Sequence, residues 1–397
     1  MNDWPLKSAH KETVASFEQQ LRDTQQALWG RKKLFVWGAG VRGTLLGLLL
    51  EKNNHNSFSY IDGDSRKWGM NICGHMIQSP EELWKTSPED LYVLIPLEYS
   101  EDVQKILEKH GMVEQRHFSV IRSTEKQNFQ DTFFSQYDKK ILLIGGSLFN
   151  EILLCEEHDN DLKEDLRLRY GSTMKVLSMN SISIGGYYYL YRLQLLCGQV
   201  PEQVWIFISW DLLTEYVHKL PRSQHVDLLD ALKNKSGVSD DTLDCYLTQA
   251  SLRAADYKME LEHSPLRVFD GERPSSESVH RGYLKKSLLY SVNTETESFD
   301  YLKSIVDLSC QYGIKCRMFI TPYNYELVEE YFGSHAKALV GENFAKLQQF
   351  FNLHDVPIYD MGRLLPNKDF ETAVTVNDAI SKEGRKKILQ QLGAWGL

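Results

Sequence analysis

"KILLIGGSLFNEILL", residues 140–154, is the stretch on which the fold turns. Residues 141–144 form a continuous apolar run, too short for a helix and without the alternation of a strand that faces water. A strand buried on both faces of a parallel sheet has that pattern. Gly145, Gly146 and Ser147 then predict a tight turn into a helix beginning near Asn150. A serine so placed holds its hydroxyl at the carboxyl end of a strand and the amino end of a helix. That position suits a nucleophile, because nearby backbone N–H groups can stabilise the oxyanion of a tetrahedral intermediate. Gly-Gly-Ser also occurs where a chain merely turns a corner, so Ser147 has weight only together with the rest of the chain.

The downstream segments repeat the pattern. "KVLSMNSISIGGYYYLYRLQLL" (175–196) predicts a second strand and a loop carrying Asn180, Ser181, Gly185 and Gly186. "EQVWIFISWDLL" (202–213) predicts a third, ending in Ser209, Trp210 and Asp211. "IKCRMFITPYNYEL" (314–327) predicts a fourth, ending at Thr321, Pro322 and Asn324, and "VPIYDMGRLL" (356–365) a fifth. Strands with polar residues at their carboxyl ends, alternating with helical segments, describe an open parallel α/β sheet with its site along one edge. The tyrosine run "GGYYYLYRL" fits either a sugar-stacking surface or a helical core stripe. Residues 220–300 are polar with helical pieces and predict an insertion that caps the active face or binds a partner.

Near the carboxyl end, "TVNDAISKEGRKKILQQL" (375–392) predicts a polar loop and then a helix started by Ser381, Glu383 and Gly384 and carried by Ile388, Leu389 and Leu392. No histidine occurs in this stretch. His354, just before the fifth strand, is the nearest in sequence, and its plain reading is a turn residue. His218, His225, His280 and His335 lie in polar stretches and read as surface residues.

Upstream, "KKLFVWGAGVRGTLLGLLLEKNN" (32–54) places Gly38, Gly40 and Gly43 in a GxGxxG pattern between a short strand and an apolar helix, the context that the pattern requires. Glycines let the backbone turn tightly and approach a phosphate, and a helix amino terminus offers free N–H groups. "SFSYID" (57–62) predicts a second strand ending in Asp62, where an acidic group can meet a ribose hydroxyl. "GMNICGHMIQSPEEL" predicts a turn and a helix start, "DLYVLIPL" a third parallel strand, and "SEDVQKILEKHG" a helix. The expected organisation is an amphipathic helix over 1–30, a small α/β domain over 31–121, a polar linker over 122–139, and a larger α/β domain over 140–397.

The chain has 397 residues and a formal net charge of -9, which argues against a nucleic-acid partner, since that requires a concentrated basic surface. Its six cysteines are scattered, with no spacing that suggests a metal site, and they read as reduced thiols of a cytoplasmic protein. No segment has the composition of a signal peptide or a transmembrane span.

With these motifs in hand, residues 140–397 resemble an SGNH (GDSL-type) hydrolase or acyltransferase domain. They look most like the branch that contains the teichoic-acid D-alanyl transfer protein and the alginate and O-antigen acetylation enzymes. The resemblance implies a flavodoxin-like three-layer α/β/α fold, with Ser147 as nucleophile and the Gly185 backbone N–H in the oxyanion hole, Asn180 nearby. The third block, usually GxND, appears as "ISWD", without its asparagine; Ser209 or Asp211 is a poor substitute. The last block implies Asp378 as the orienting acid and a histidine at position 379, where this chain has Ala379. Alanine cannot take the serine proton. The chain as written is therefore expected to be nearly inactive, through natural loss or a deliberate histidine-to-alanine change, unless another histidine supplies the base.

"VWGAGVRG", "YIDGDSRKWGMNICG" and "SPEEL" resemble the Rossmann-like amino-terminal domain of PglD/NeuD-type sugar acetyltransferases. That likeness implies either binding of a nucleotide or nucleotide sugar by Gly38, Gly40, Gly43 and Asp62, or a scaffolding role. Together the two resemblances imply O-acyl transfer or O-deacylation on a carbohydrate intermediate of bacterial surface polysaccharide. No cofactor is needed for the catalysis, and a homo-oligomer or an assembly partner is left open. The competing reading is a non-catalytic protein that binds nucleotide sugar or glycan.

Overall fold

The computed structural model describes residues 8–28, 33–55, 57–72, 74–97, 100–153, 161–255, 276–370 and 380–397. The chain is an α/β protein and divides into two compact units, Met1–Glu125 and Lys126–Leu397.

In the first unit, β1 (Ser8–His10) leads into α1 (Lys11–Leu28), which buries Val14, Phe17 and Leu21 at helical spacing, and α2 (Val41–Lys52) and α3 (Glu101–Lys109) follow later in the unit. The sheet contains β2 (Lys33–Trp37), β3 (Phe58–Ile61), β4 (Asn71–Ile72), β5 (His75–Gln78), β6 (Leu91–Ile95) and β7 (Phe118–Val120), in the order β4-β5-β3-β2-β6-β7. All neighbours pair in parallel except β4 with β5. The chain therefore runs outward from β2 through β3 to β5, then returns to the other side of β2 with β6. The segment expected to hold only a turn and a helix start contains the β4–β5 hairpin, followed by a 3-10 helix over Pro80–Lys85. Its strands are too short to show a period in sequence.

The boundary between the units falls within the first turn of α4 (Glu125–Phe134), so the stretch expected to be an irregular linker over 122–139 is partly helical. Phe129 and Phe133, one turn apart, bury in the second unit's core, and this packing outweighs the polar composition around them. The sheet is β10-β8-β11-β12-β13, formed by β8 (Ile141–Gly145), β10 (Met174–Ser178), β11 (Gln203–Ile208), β12 (Lys315–Ile320) and β13 (Ile358–Asp360). Every pairing is parallel. Alternate residues of β8 enter different cores: Leu142 and Ile144 join one cluster, Ile141 and Leu143 the other. The first cluster lies under α6 (Ile184–Leu196) and the helices Glu297–Gln311 and Tyr325–Asn352. The second lies under α5 (Leu162–Tyr170) and the closing helix Lys382–Ala394. Burial on both faces is the physical reason for the unbroken apolar runs.

Two expectations are corrected here. No helix begins near Asn150. Ser147–Phe149 is a single 3-10 turn, the short strand β9 (Glu151–Leu153) comes next, and α5 starts at Leu162, where the Asp161 carboxylate accepts from the Glu164 N–H. Asn150 offers no such N-cap, whereas Asp161 does. The region expected as a polar insertion also contributes a helical layer. Leu228, Leu229, Leu232, Leu243, Tyr246, Leu247, Leu284 and Leu288 all belong to the first core cluster.

Candidate functional site

Ser147 sits just past the carboxyl end of β8, the strand from which the chain first goes to β10 on one side and then to β11 on the other. Such a reversal opens a crevice beyond the carboxyl ends of the strands, which is where open α/β sheets bind ligands. Ser147 is half-buried, and its hydroxyl has no hydrogen-bond partner among the described residues. Glycine is required at 145, because a Cβ there would lie 2.2 Å from the Phe149 ring. A Cβ on Gly146 would lie 3.5 Å from the Tyr187 hydroxyl, so Tyr187 approaches the turn from α6.

The neighbouring strand ends supply polar groups. At the end of β10, the Ser178 hydroxyl donates to Asn150 Oδ1 (2.6 Å), and the Asn180 carbonyl accepts from His225 Nε2 (2.9 Å). At the end of β11, the Ser209 hydroxyl donates to the Asp211 carboxylate (2.5 Å), and the Tyr290 hydroxyl donates to the Trp210 carbonyl (2.5 Å). Tyr290, from the expected insertion, thus reaches the end of β11. Burial, and then the nearby Asp211 carboxylate, pushes the Tyr187 hydroxyl well above its usual range, so it remains a protonated donor. Asn150 Nδ2, Asn180 Oδ1, the Tyr187 hydroxyl and Trp210 Nε1 are all buried without a hydrogen-bond partner among the described residues. Orphaned buried polar atoms are costly, and several at one sheet edge mark a place built for water or ligand.

Gly185 is the second residue of α6, behind the Ser183 cap. A Cβ there would lie 2.8 Å from Tyr246 and 3.0 Å from Tyr301, so packing alone requires glycine. Tyr187, Tyr188, Tyr189 and Tyr191 are buried, which removes the sugar-stacking reading of the tyrosine run. Asn324 caps the helix after β12, accepting from the Leu327 N–H (3.2 Å) and donating to Asn367 Oδ1 (2.6 Å). The Thr321 N–H donates to the Ile208 carbonyl (3.0 Å), locking β12 to β11 at this edge.

Asp378 and Ala379 lie outside the described residues, which resume at Ile380. Phe370 and Ile380 pair in an antiparallel bridge, and the Ser381 N–H donates to the Asp369 carbonyl (2.9 Å). The Arg385 guanidinium reaches the Ile380 carbonyl (2.9 Å) and Asp165 (3.1 Å). Ser381 caps the closing helix as expected, accepting from the Gly384 N–H (3.1 Å), and a Cβ on Gly384 would lie 2.2 Å from Ile380. Phe370 and Ile380 belong to the same core cluster as Leu148 and Phe149, the two residues directly after Ser147.

His354 precedes the amino end of β13, and in a parallel sheet that is the edge opposite Ser147. His218 is corrected from surface to buried. It is 1 % exposed, its Nε2 lies 3.1 Å from Glu297, and Arg253 chelates that carboxylate at 2.7 and 2.8 Å. No local pattern shows this trio, because its members are 35 and 44 residues apart along the chain. Asn150, which accepts from Ser178 beside the Ser147 turn, has no sequence signal beyond its place three residues after Ser147.

In the first unit the glycine loop comes after β2, beside the point where the strand order reverses. Gly38 has φ +116, and a Cβ on Gly43 would lie 1.7 Å from the Gly38 carbonyl oxygen, whereas the space over Gly40 is open. Asp62 is engaged within the unit. Its carboxylate accepts from the Ala39 N–H (2.7 Å), the Asp64 N–H (2.8 Å) and Lys67 Nζ (2.8 Å). The acid therefore fixes the loop, and a ribose hydroxyl would have to share it.

Among the described residues no His/Cys/Asp/Glu group is arranged to hold a metal, and no helix is long and apolar enough to cross a membrane. No family model matches the chain, and no curated protein matches it.

Proposed function

We propose that the second unit is an SGNH-type domain that performs serine-dependent ester chemistry, O-acyl transfer or O-deacylation, on a carbohydrate intermediate of surface polysaccharide. One observation carries this reading. Leu148 and Phe149, directly after the half-buried Ser147 at the carboxyl end of its strand, share one hydrophobic cluster with Phe370 and Ile380, the described residues that flank 371–379. In this mechanism Ser147 attacks the ester carbonyl. The Ser147 and Gly185 backbone N–H groups hold the oxyanion, and a histidine at position 379, oriented by Asp378, takes the proton. Ala379 leaves the chain without that base. The Rossmann-like first unit serves a nucleotide or nucleotide sugar through the open space over Gly40.

A second reading, a binding or scaffold protein on the same framework, is favoured by Ala379 itself and by the missing asparagine in "ISWD". Hydrolysis of p-nitrophenyl acetate separates the two. Ala379→His is expected to gain activity that Ser147→Ala removes; a folded Ala379→His chain without such activity supports the scaffold.

A further inference from the structure

We propose that the Asn150 side-chain amide is a catalytic hydrogen-bond donor to the oxyanion formed at Ser147, filling the role left empty by the missing asparagine after β11. The inference rests on the reading of Ser147 as nucleophile. Ser147 and Asn150 bracket one 3-10 turn, closed by the Asn150 N–H donating to the Ser147 carbonyl (2.9 Å). In a 3-10 helix, side chains three residues apart eclipse, and Asn150 follows Ser147 at that spacing as the residue that ends the turn. Asn150 is 1 % exposed. Its Oδ1 is occupied by the Ser178 hydroxyl (2.6 Å), a residue paired in register with Gly145 at the strand ends. That bond fixes the amide plane and leaves Nδ2 as a buried donor with no acceptor among the described residues. A donor held in place before reaction is what an oxyanion hole needs, since no reorganisation is then required as charge develops.

In the step itself, Ser147 Oγ forms a bond to the ester carbonyl carbon, and the C=O π pair moves onto the oxygen, which Nδ2–H meets. In the Ala379→His chain the Oγ proton passes to the introduced histidine. When the tetrahedral species collapses, the carbonyl re-forms, the alkoxide leaves, and the base returns the proton to it. Ser178 acts only by holding the amide and is a positioning residue.

The test uses the full-length Ala379→His chain. Asn150→Asp keeps the shape and the acceptor for Ser178 but removes the donor; Asn150→Ala removes both. Each is expected to lower kcat for p-nitrophenyl acetate about 10²–10³-fold with KM little changed, the loss typical of one oxyanion donor. Circular dichroism and thermal melting check the fold. Retention of kcat within about threefold in a folded Asn150→Ala chain overturns the inference and leaves the nucleophile reading standing. Should neither variant fold, a crystal structure of the Ala379→His chain with Ser147 phosphonylated by a p-nitrophenyl alkylphosphonate decides the matter. Nδ2 within about 3.2 Å of the phosphonyl oxygen supports the inference, and a clear separation overturns it. A folded Ala379→His chain with neither serine-dependent turnover nor an adduct at Ser147 removes the nucleophile reading and this inference with it.

Discussion

Glu297 shows how much of this protein rests on single contacts between distant residues. The hydrogen bond from His218, aided by Arg253 against the opposing effect of burial, pushes its carboxyl down to about 2. A carboxylate whose folded pKa lies below its ordinary 4.5 contributes stability that is present above 4.5 and lost as pH falls toward 2. Glu297→Gln is therefore expected to lower stability at pH 7, because His218 and Arg253 lose their shared anion. It should also flatten the decline between pH 4.5 and about 2, as measured by urea denaturation across that window. The side chain is partly exposed, so solvent screening reduces the size of the effect. At this scale the sequence is legible where chemistry is local: Gly38 and Gly43 are needed for φ and for close approach, as their spacing suggests. Partners separated by many residues, such as His218 with Arg253, leave no local trace.

Among the elements, α4, β10 and α6 meet at Lys175. This lysine is 3 % exposed, and its ammonium donates to the Phe133 carbonyl (2.9 Å) and Gln194 Oε1 (3.4 Å). Burial pushes it down from 10.5 to about 8. Between these values the unfolded chain binds more protons than the folded one, so stability rises with pH across that window, and the full penalty applies below 8. Lys175→Met is expected to stabilise the protein at pH 7 by no more than about 3 kcal/mol. That advantage should shrink toward pH 10 in chemical denaturation at the two pH values; an advantage that grows with pH contradicts it. The strands of the larger sheet and the closing helix are readable in sequence because burial on both faces, the Ser381 cap and the Gly384 contact act within a few residues. The helix over Glu125–Phe134 escapes because only Phe129 and Phe133 mark it, and the 3-10 turn after Ser147 because three residues are too few to show a period.

For the molecule as a whole, each unit has a sheet whose strand order reverses beside the strand that carries its signature loop: Gly38–Gly43 after β2, Ser147 after β8. Alternating apolar and helical segments made the α/β class readable in both. The hairpin over Asn71–Gln78 is too short to show a period, and the helical pieces between β11 and β12 are legible as helices while their burial in the core is not, because polar residues separate the buried leucines. The central claim is that Ser147 and position 379 face each other across one sheet edge. Labelling by a fluorophosphonate, located by mass spectrometry, tests it directly. The Ala379→His chain is predicted to label at Ser147 about 10²–10⁴-fold faster than the parent chain, the range expected of a positioned general base. Equal labelling rates in the two folded chains would contradict the account.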